Sequence, residues 1–108
     1  SREPELWIRL VRAPKLIDRF RQPWGFRGIL VKFKLEVGMG EAELIQVAEA
    51  SRTHSAADLM VANTLEGAAH WAYLGPRSGR YDRLPRRELP DRLLLAIEAL
   101  HQERLTHG

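Results

Sequence analysis

Two apolar segments, and the spacing of the residues between them, constrain this chain more than any other feature. GILVKFKLEV (28–37) and DLMVANTL (58–65) both read as strands. Between them Leu44, Ile45, Val47 and Ala48 recur at helical spacing against Glu43, Gln46 and Glu49, from Glu41 to about His54. The second strand is almost continuously apolar, as a strand inside a parallel sheet is. Strand, helix and strand in succession predict a parallel pair joined by a helical crossover. In the first strand Val31, Phe33, Leu35 and Val37 share one parity and Lys32, Lys34 and Glu36 the other, so one face is expected to be less buried.

The same reading extends both ways. LWIRLV (6–11) alternates enough for a short strand, and Pro14 opens a helix marked by Leu16, Ile17 and Phe20 before Pro23 and Gly25 break it. After Gly67, AAHWAYLGP and the segment around RYDRL are short and separated by the turn signal GPRSG, which predicts an antiparallel hairpin. RELPDRLLLAIEALHQERL then places Leu93, Leu94, Ile97 and Leu100 on one face of a helix that Pro90 helps to open. The fold class is α/β, with three parallel core strands, an antiparallel hairpin and a C-terminal helix. Such a core leaves an edge and part of a face uncovered, so residues 1–108 are expected to form a single, partial domain.

Composition removes several functions. With 108 residues, 44% hydrophobic and 29% charged, the chain has the balance of a folded soluble domain. It has no cysteine, so thiolate metal sites, disulfides and a cysteine nucleophile are out. The net charge of +3 comes from arginines interleaved with acids, and no nucleic-acid signature accompanies them. No apolar run approaches the roughly 20 residues of a membrane span, so no membrane partner and a cytoplasmic location are expected. His54, His70, His101 and His107 lack metal-ligand spacing, and no metal site is expected. No serine sits in a G-x-S-x-G elbow. Neither G-x-G-x-x-G nor G-x-x-x-x-G-K-[ST] occurs, so a nucleotide-binding fold would be present here only as the half without the glycine loop.

Three motifs in register carry a resemblance. LVRAPKLIDRFRQPWGFRGILVKFKLE, followed one helix later by ADLMVAN, holds Pro14-Lys15-Leu16, Phe33-Lys34-Leu35-Glu36 and Val61-Ala62-Asn63 in order. In this the chain resembles the C-terminal half of phosphopantothenate–cysteine ligase, or phosphopantothenoylcysteine synthetase, of the DNA/pantothenate metabolism flavoprotein family. The resemblance implies a Rossmann-like ligase that joins 4'-phosphopantothenate to cysteine in coenzyme A biosynthesis. ATP or CTP, with Mg2+, would activate the pantothenate carboxylate as an acyl-nucleotide with release of pyrophosphate. The cysteine amine would then displace the nucleoside monophosphate.

The resemblance also implies residues. Ala13, Pro14, Lys15 and Leu16 would line the nucleotide site through a helix start, where Pro14 otherwise only opens the helix and Lys15 is solvated. Phe33 would lie beside the nucleotide, against a plain core phenylalanine; Lys34 would neutralise phosphate charge, against a surface lysine. Asn63 would stand at the site rim, against a turn former that closes the strand. Ser51 and Ser55 stand where bacterial members carry lysines, leaving Arg52 as the nearby cation, and Phe-Lys-Leu-Glu leans to the ATP-using type. The family's N-terminal half and glycine loop are not in this chain, so that half, the nucleotide, phosphopantothenate and a second copy in a homodimer are the expected partners. The other expectation is a non-catalytic α/β interaction or regulatory domain that retains the fold.

Overall fold

The computed structural model describes residues 8–11, as backbone, and residues 28–107. One sheet of five strands runs in sequence order: β1 (Ile8–Val11), β2 (Ile29–Glu36), β3 (Leu59–Thr64), β4 (Trp71–Arg77) and β5 (Arg80–Pro85). The first three are parallel and the last two antiparallel, as the periodicities predict. Helix α1 (Glu41–Ser55) forms the β2–β3 crossover, and α2 (Leu89–His107) follows β5 through a single 3-10 turn at Arg86–Glu88. The helix expected after Pro14, and with it Ala13, Pro14, Lys15 and Leu16, lies outside the described residues.

The two helices cover opposite faces of the sheet. On one side Leu44 and Ala48 of α1 pack on Met60, Ala62 and Tyr73. On the other, Leu89, Ala96 and Ile97 of α2 pack on Ile29, Val31, Leu59, Val61, Ala72, Leu74 and Leu84. Full burial of each such side chain is worth about 1.5–3 kcal/mol, so this two-sided burial of β3 carries the fold. Helix α1 starts with Glu41 and Glu43 and carries Arg52 in its last turn, charges that match its dipole. Its end is a left-handed residue, Ala56 (φ 55°), whose N–H donates to the Thr53 carbonyl while Ala57 donates to that of Arg52. This is the Schellman hydrogen-bond pattern, made here without glycine.

Asp58 ties three elements together. Its carboxylate accepts the Leu30 N–H (2.8 Å) and the Arg104 guanidinium, and its own N–H donates to the Leu30 carbonyl (2.8 Å). The hairpin turn is tighter than GPRSG suggests: β4 continues through Pro76 to Arg77, leaving Ser78 (φ 51°) and Gly79 (φ 77°) as the turn. Two successive positive φ values fit the twist of a two-residue hairpin.

The parity of β2 departs from the simple alternation. Lys32 is buried (6% exposed), whereas Phe33 and Leu35, of the apolar parity, are 42% and 54% exposed. The reason lies in α1. The Lys32 ammonium donates to the Ser55 hydroxyl (2.5 Å) and to the Ser51 carbonyl (3.2 Å), an acceptor in the helix's last turn. The charged parity therefore faces the helix, and beyond Val31 the apolar parity leaves the cover of α2.

Replacing Lys32 by Met keeps the stem but removes these charge-assisted bonds from a buried place. Lys32→Met is expected to lower stability by about 2 kcal/mol. The check is a lower urea midpoint with an unchanged m-value.

Candidate functional site

The carboxyl ends of β2 and β3 are where an open α/β sheet receives ligands. The register there sets Phe33 beside Val61 and Leu35 beside Asn63. Since Val31 and Val61 face α2, Phe33, Leu35 and Asn63 project on that same side, beyond the buried core. Val37 (66% exposed) continues the row past the end of the strand. An aromatic ring, aliphatic side chains and one amide thus line an edge that no described residue covers, a set that suits a planar or aliphatic ligand with one hydrogen-bonding group.

Lys34 stands on the other face. Its ammonium is 3.0 Å from the Glu36 carboxylate, each about a quarter exposed, so the cation is already paired. The structure thus brings Phe33 and Asn63 together and sets Lys34 apart from them, a consequence of adjacent parity in one strand. Arg52 is likewise engaged. Its Nε donates to the Glu49 carboxylate (2.9 Å) and its Nη1 to the Ala57 carbonyl (2.9 Å). The ammonium beside Ser51 and Ser55 comes instead from Lys32.

The loops at this end are knitted by the chain itself. The Leu65 N–H donates to the Glu36 carbonyl (2.8 Å), and the Gly67 N–H reaches both the carbonyl (3.1 Å) and the hydroxyl (3.2 Å) of Thr64. The Glu66 carboxylate accepts the Gly38 N–H at 3.2 and 3.4 Å. Its own backbone N–H, that of Gly38 and the Thr64 side chain hold its carboxyl below the usual carboxylate range. Beside it the Trp71 ring lies so close to Gly67 that a Cβ there would overlap the indole. Arg83 sits over that ring, 4.9 Å from its centroid, and Tyr73 meets it edge-on at 5.2 Å. Burial, then Glu41, pushes the Tyr73 phenol up.

Neither the Glu66 tie nor the Arg83–Trp71 stack was signalled by a motif. The first joins residues 28 positions apart and the second depends on hairpin register, with Tyr73 opposite Arg83 and Trp71 opposite Pro85. A groove of about 690 Å³ runs along the outer face of α1 past Ala42, Ile45, Glu49 and Thr53, on a different surface from the strand ends.

The edge strand is fixed to α1 by Tyr81, whose hydroxyl donates to Glu49 at 2.6 Å. The bond from Arg52, then that from Tyr81, lowers the Glu49 carboxyl against a burial effect of opposite sign. Burial, then the bond to Glu49, pushes the Tyr81 phenol well above its ordinary value of 10.0. A folded phenol that keeps its proton where the unfolded one releases it makes stability fall as pH rises from about 10. In urea unfolding from about pH 9 to pH 11, wild type is expected to lose more stability than Tyr81→Phe. Equal losses would contradict the assignment.

Among known proteins, no family model matches the chain. The coenzyme A biosynthesis bifunctional protein CoaBC of Thermococcus kodakarensis is 37% identical over 102 residues, covering 88% of this chain. The chain spans about a quarter (25%) of that relative's length. The crystal structure of the DNA/pantothenate metabolism flavoprotein from Streptococcus pneumoniae superposes with a TM-score of 0.71 at 28% identity, over 80% of this chain and 40% of that one. A Cab2 mutant in complex with phosphopantothenate-cysteine shares the fold at a TM-score of 0.61 and 15% identity, over 88% of this chain and 32% of that one. Both solved structures extend well beyond the matched part, which accords with an uncovered sheet face. Over the part that it spans, the chain is similar to the coenzyme A biosynthesis bifunctional protein and to the DNA/pantothenate metabolism flavoprotein.

Proposed function

We propose that these residues are part of a ligase that joins 4'-phosphopantothenate to cysteine, in coenzyme A biosynthesis, through an acyl-nucleotide intermediate. The observation that carries this reading is the juxtaposition of Phe33 and Asn63 on an uncovered face at the carboxyl ends of β2 and β3, in a chain related to CoaBC. In the reaction a pantothenate carboxylate oxygen attacks the α-phosphorus of ATP or CTP and pyrophosphate leaves. The cysteine amine then takes the acyl group and the nucleoside monophosphate departs. This chemistry asks the protein mainly for positioning and charge neutralisation, because the acyl-nucleotide carries its own leaving group.

In this reading Phe33 and the exposed Leu35 support the nucleotide or the pantoyl methyl groups, Asn63 hydrogen-bonds at the rim, and Ala13, Pro14, Lys15 and Leu16 add a helix start. Lys34 serves phosphate only by exchanging Glu36 for it. Among the described residues no three carboxylates, histidines or cysteines come together to hold a metal ion. A protein-built Mg2+ cage therefore does not fit them, and no step is routed through one. The remaining part of the ligase, supplying the glycine loop, and a second copy complete the site. A cytoplasmic location accords with this role, and no described helix is long and apolar enough to cross a membrane.

The pairing of Lys34 with Glu36 and of Arg52 with Glu49 favours one other reading, a domain that keeps the fold without catalysing. The full-length protein, given phosphopantothenate, cysteine and either nucleotide, is expected to release pyrophosphate and form phosphopantothenoylcysteine. Phe33→Ala is expected to raise the nucleotide KM about tenfold, the size of a lost aromatic contact. Pyrophosphate release with neither ATP nor CTP defeats the ligase reading.

A further inference from the structure

The Val37–Gly40 loop, between β2 and α1, overhangs the carboxyl ends of the parallel strands. Little holds it. A Cβ placed on Gly38 or on Gly40 would have no neighbour within 4 Å, and Val37, Gly38 and Gly40 are exposed. Gly38, at φ 71°, is in the left-handed region that favours glycine, so the backbone itself does not lock this conformation. Met39 dips into the apolar cluster under α1, and the Gly40 carbonyl starts the helix by accepting the Leu44 N–H. Among the described residues, the further hold on the loop is the Glu66 carboxylate, which takes the Gly38 N–H with both oxygens.

Glu66 itself is well anchored at its base. It sits in the turn that closes β3, where the Gly67 N–H donates to Thr64 and the Leu65 N–H to Glu36. One rigid turn therefore reaches across with a charged acceptor and sets the position of a thinly packed loop. That loop carries Val37, third in the exposed row with Phe33 and Leu35. Moving Gly38 moves Val37, and so changes the length of the apolar surface that a ligand meets.

We propose that Glu66 is a positioning residue: by holding the Gly38 N–H it sets the Val37–Gly40 loop so that Val37 extends the apolar row of Phe33 and Leu35 against the aliphatic or planar part of a ligand. The proposal depends on the ligase reading only for its kinetic readout. A charged acceptor on a single backbone donor makes the latch both specific and releasable. As a carboxylate it is charged at neutral pH, and the Gly38 N–H is among the donors that hold its carboxyl below the usual range.

The test uses Glu66→Ala and Glu66→Gln in the full-length protein. Peptide-resolved hydrogen exchange across Val37–Gly40 is expected to quicken about tenfold in Glu66→Ala, as a freed loop opens more often. Glu66→Gln keeps one side-chain oxygen for the Gly38 N–H and should restore exchange to within about threefold of wild type. In the ligation assay Glu66→Ala should raise KM for the nucleotide or for phosphopantothenate about three- to tenfold, with kcat within about twofold of wild type. Unchanged exchange in Glu66→Ala overturns the proposal. So does a loss of kcat, together with a lowered thermal midpoint, at unchanged KM, which marks a merely structural role. If wild type ligates with neither nucleotide, the ligase reading falls, and hydrogen exchange alone decides whether Glu66 is the latch.

Discussion

The ammonium of Lys32, seated in the last turn of α1, is the contact on which the geometry at the carboxyl end of β2 depends. A strand has a period of two, so placing one side chain fixes the face of every other. With Lys32 on the α1 side, Lys34 and Glu36 must follow it, and Phe33 and Leu35 must lie on the side of α2. Within β2, helix α2 covers that side only over Ile29 and Val31. The exposed apolar row is therefore produced by a polar contact on the opposite face.

Burying an ammonium costs free energy unless hydrogen bonds replace its water, which explains why it settles where α1 ends. The final carbonyls of a helix lack intrahelical partners and carry its negative pole. Ser51 offers a carbonyl close to that pole and Ser55 adds a hydroxyl. The same helix is also fastened near its C-terminal end by Glu49, which accepts from Tyr81 of the edge strand. Parallel core and antiparallel edge are thus joined through one helix by two polar contacts, with apolar burial between them.

Much of this was legible in the sequence. The change from strand to helical period and back marks β2, α1 and β3, because one-sided and two-sided burial leave different spacings. The hairpin and the C-terminal helix announced themselves through GPRSG and the spacing of Leu93, Leu94, Ile97 and Leu100, although Leu94 turns out exposed while the other three pack on the sheet. The parity of β2 did not, because the partners of Lys32 lie on a helix about 20 residues on, and their side chains are ordinary serines. The end of α1, expected at about His54, falls at Ser55, although the left-handed position beyond it is held by Ala56 and not by glycine. Phe33 and Asn63, singled out through motif order, share a face of the sheet, while Lys34 lies on the other. Glu66 and Arg83 could not be found that way, for each gains its meaning only from strand pairing.

Strand order that follows chain order makes the two halves of the sheet unequal in closure entropy. Two residues, 78 and 79, join β4 to β5, and six, 65–70, join β3 to β4, whereas 22 residues, 37–58, separate β2 from β3. The entropy of closing a loop grows with its length, though slowly, and a crossover must also order a helix. Chain connectivity alone thus brings the antiparallel strands together at low entropic cost. The parallel pair of β2 and β3 relies on what α1 buries, so the strand ends proposed to meet a ligand are held by tertiary packing and not by local closure.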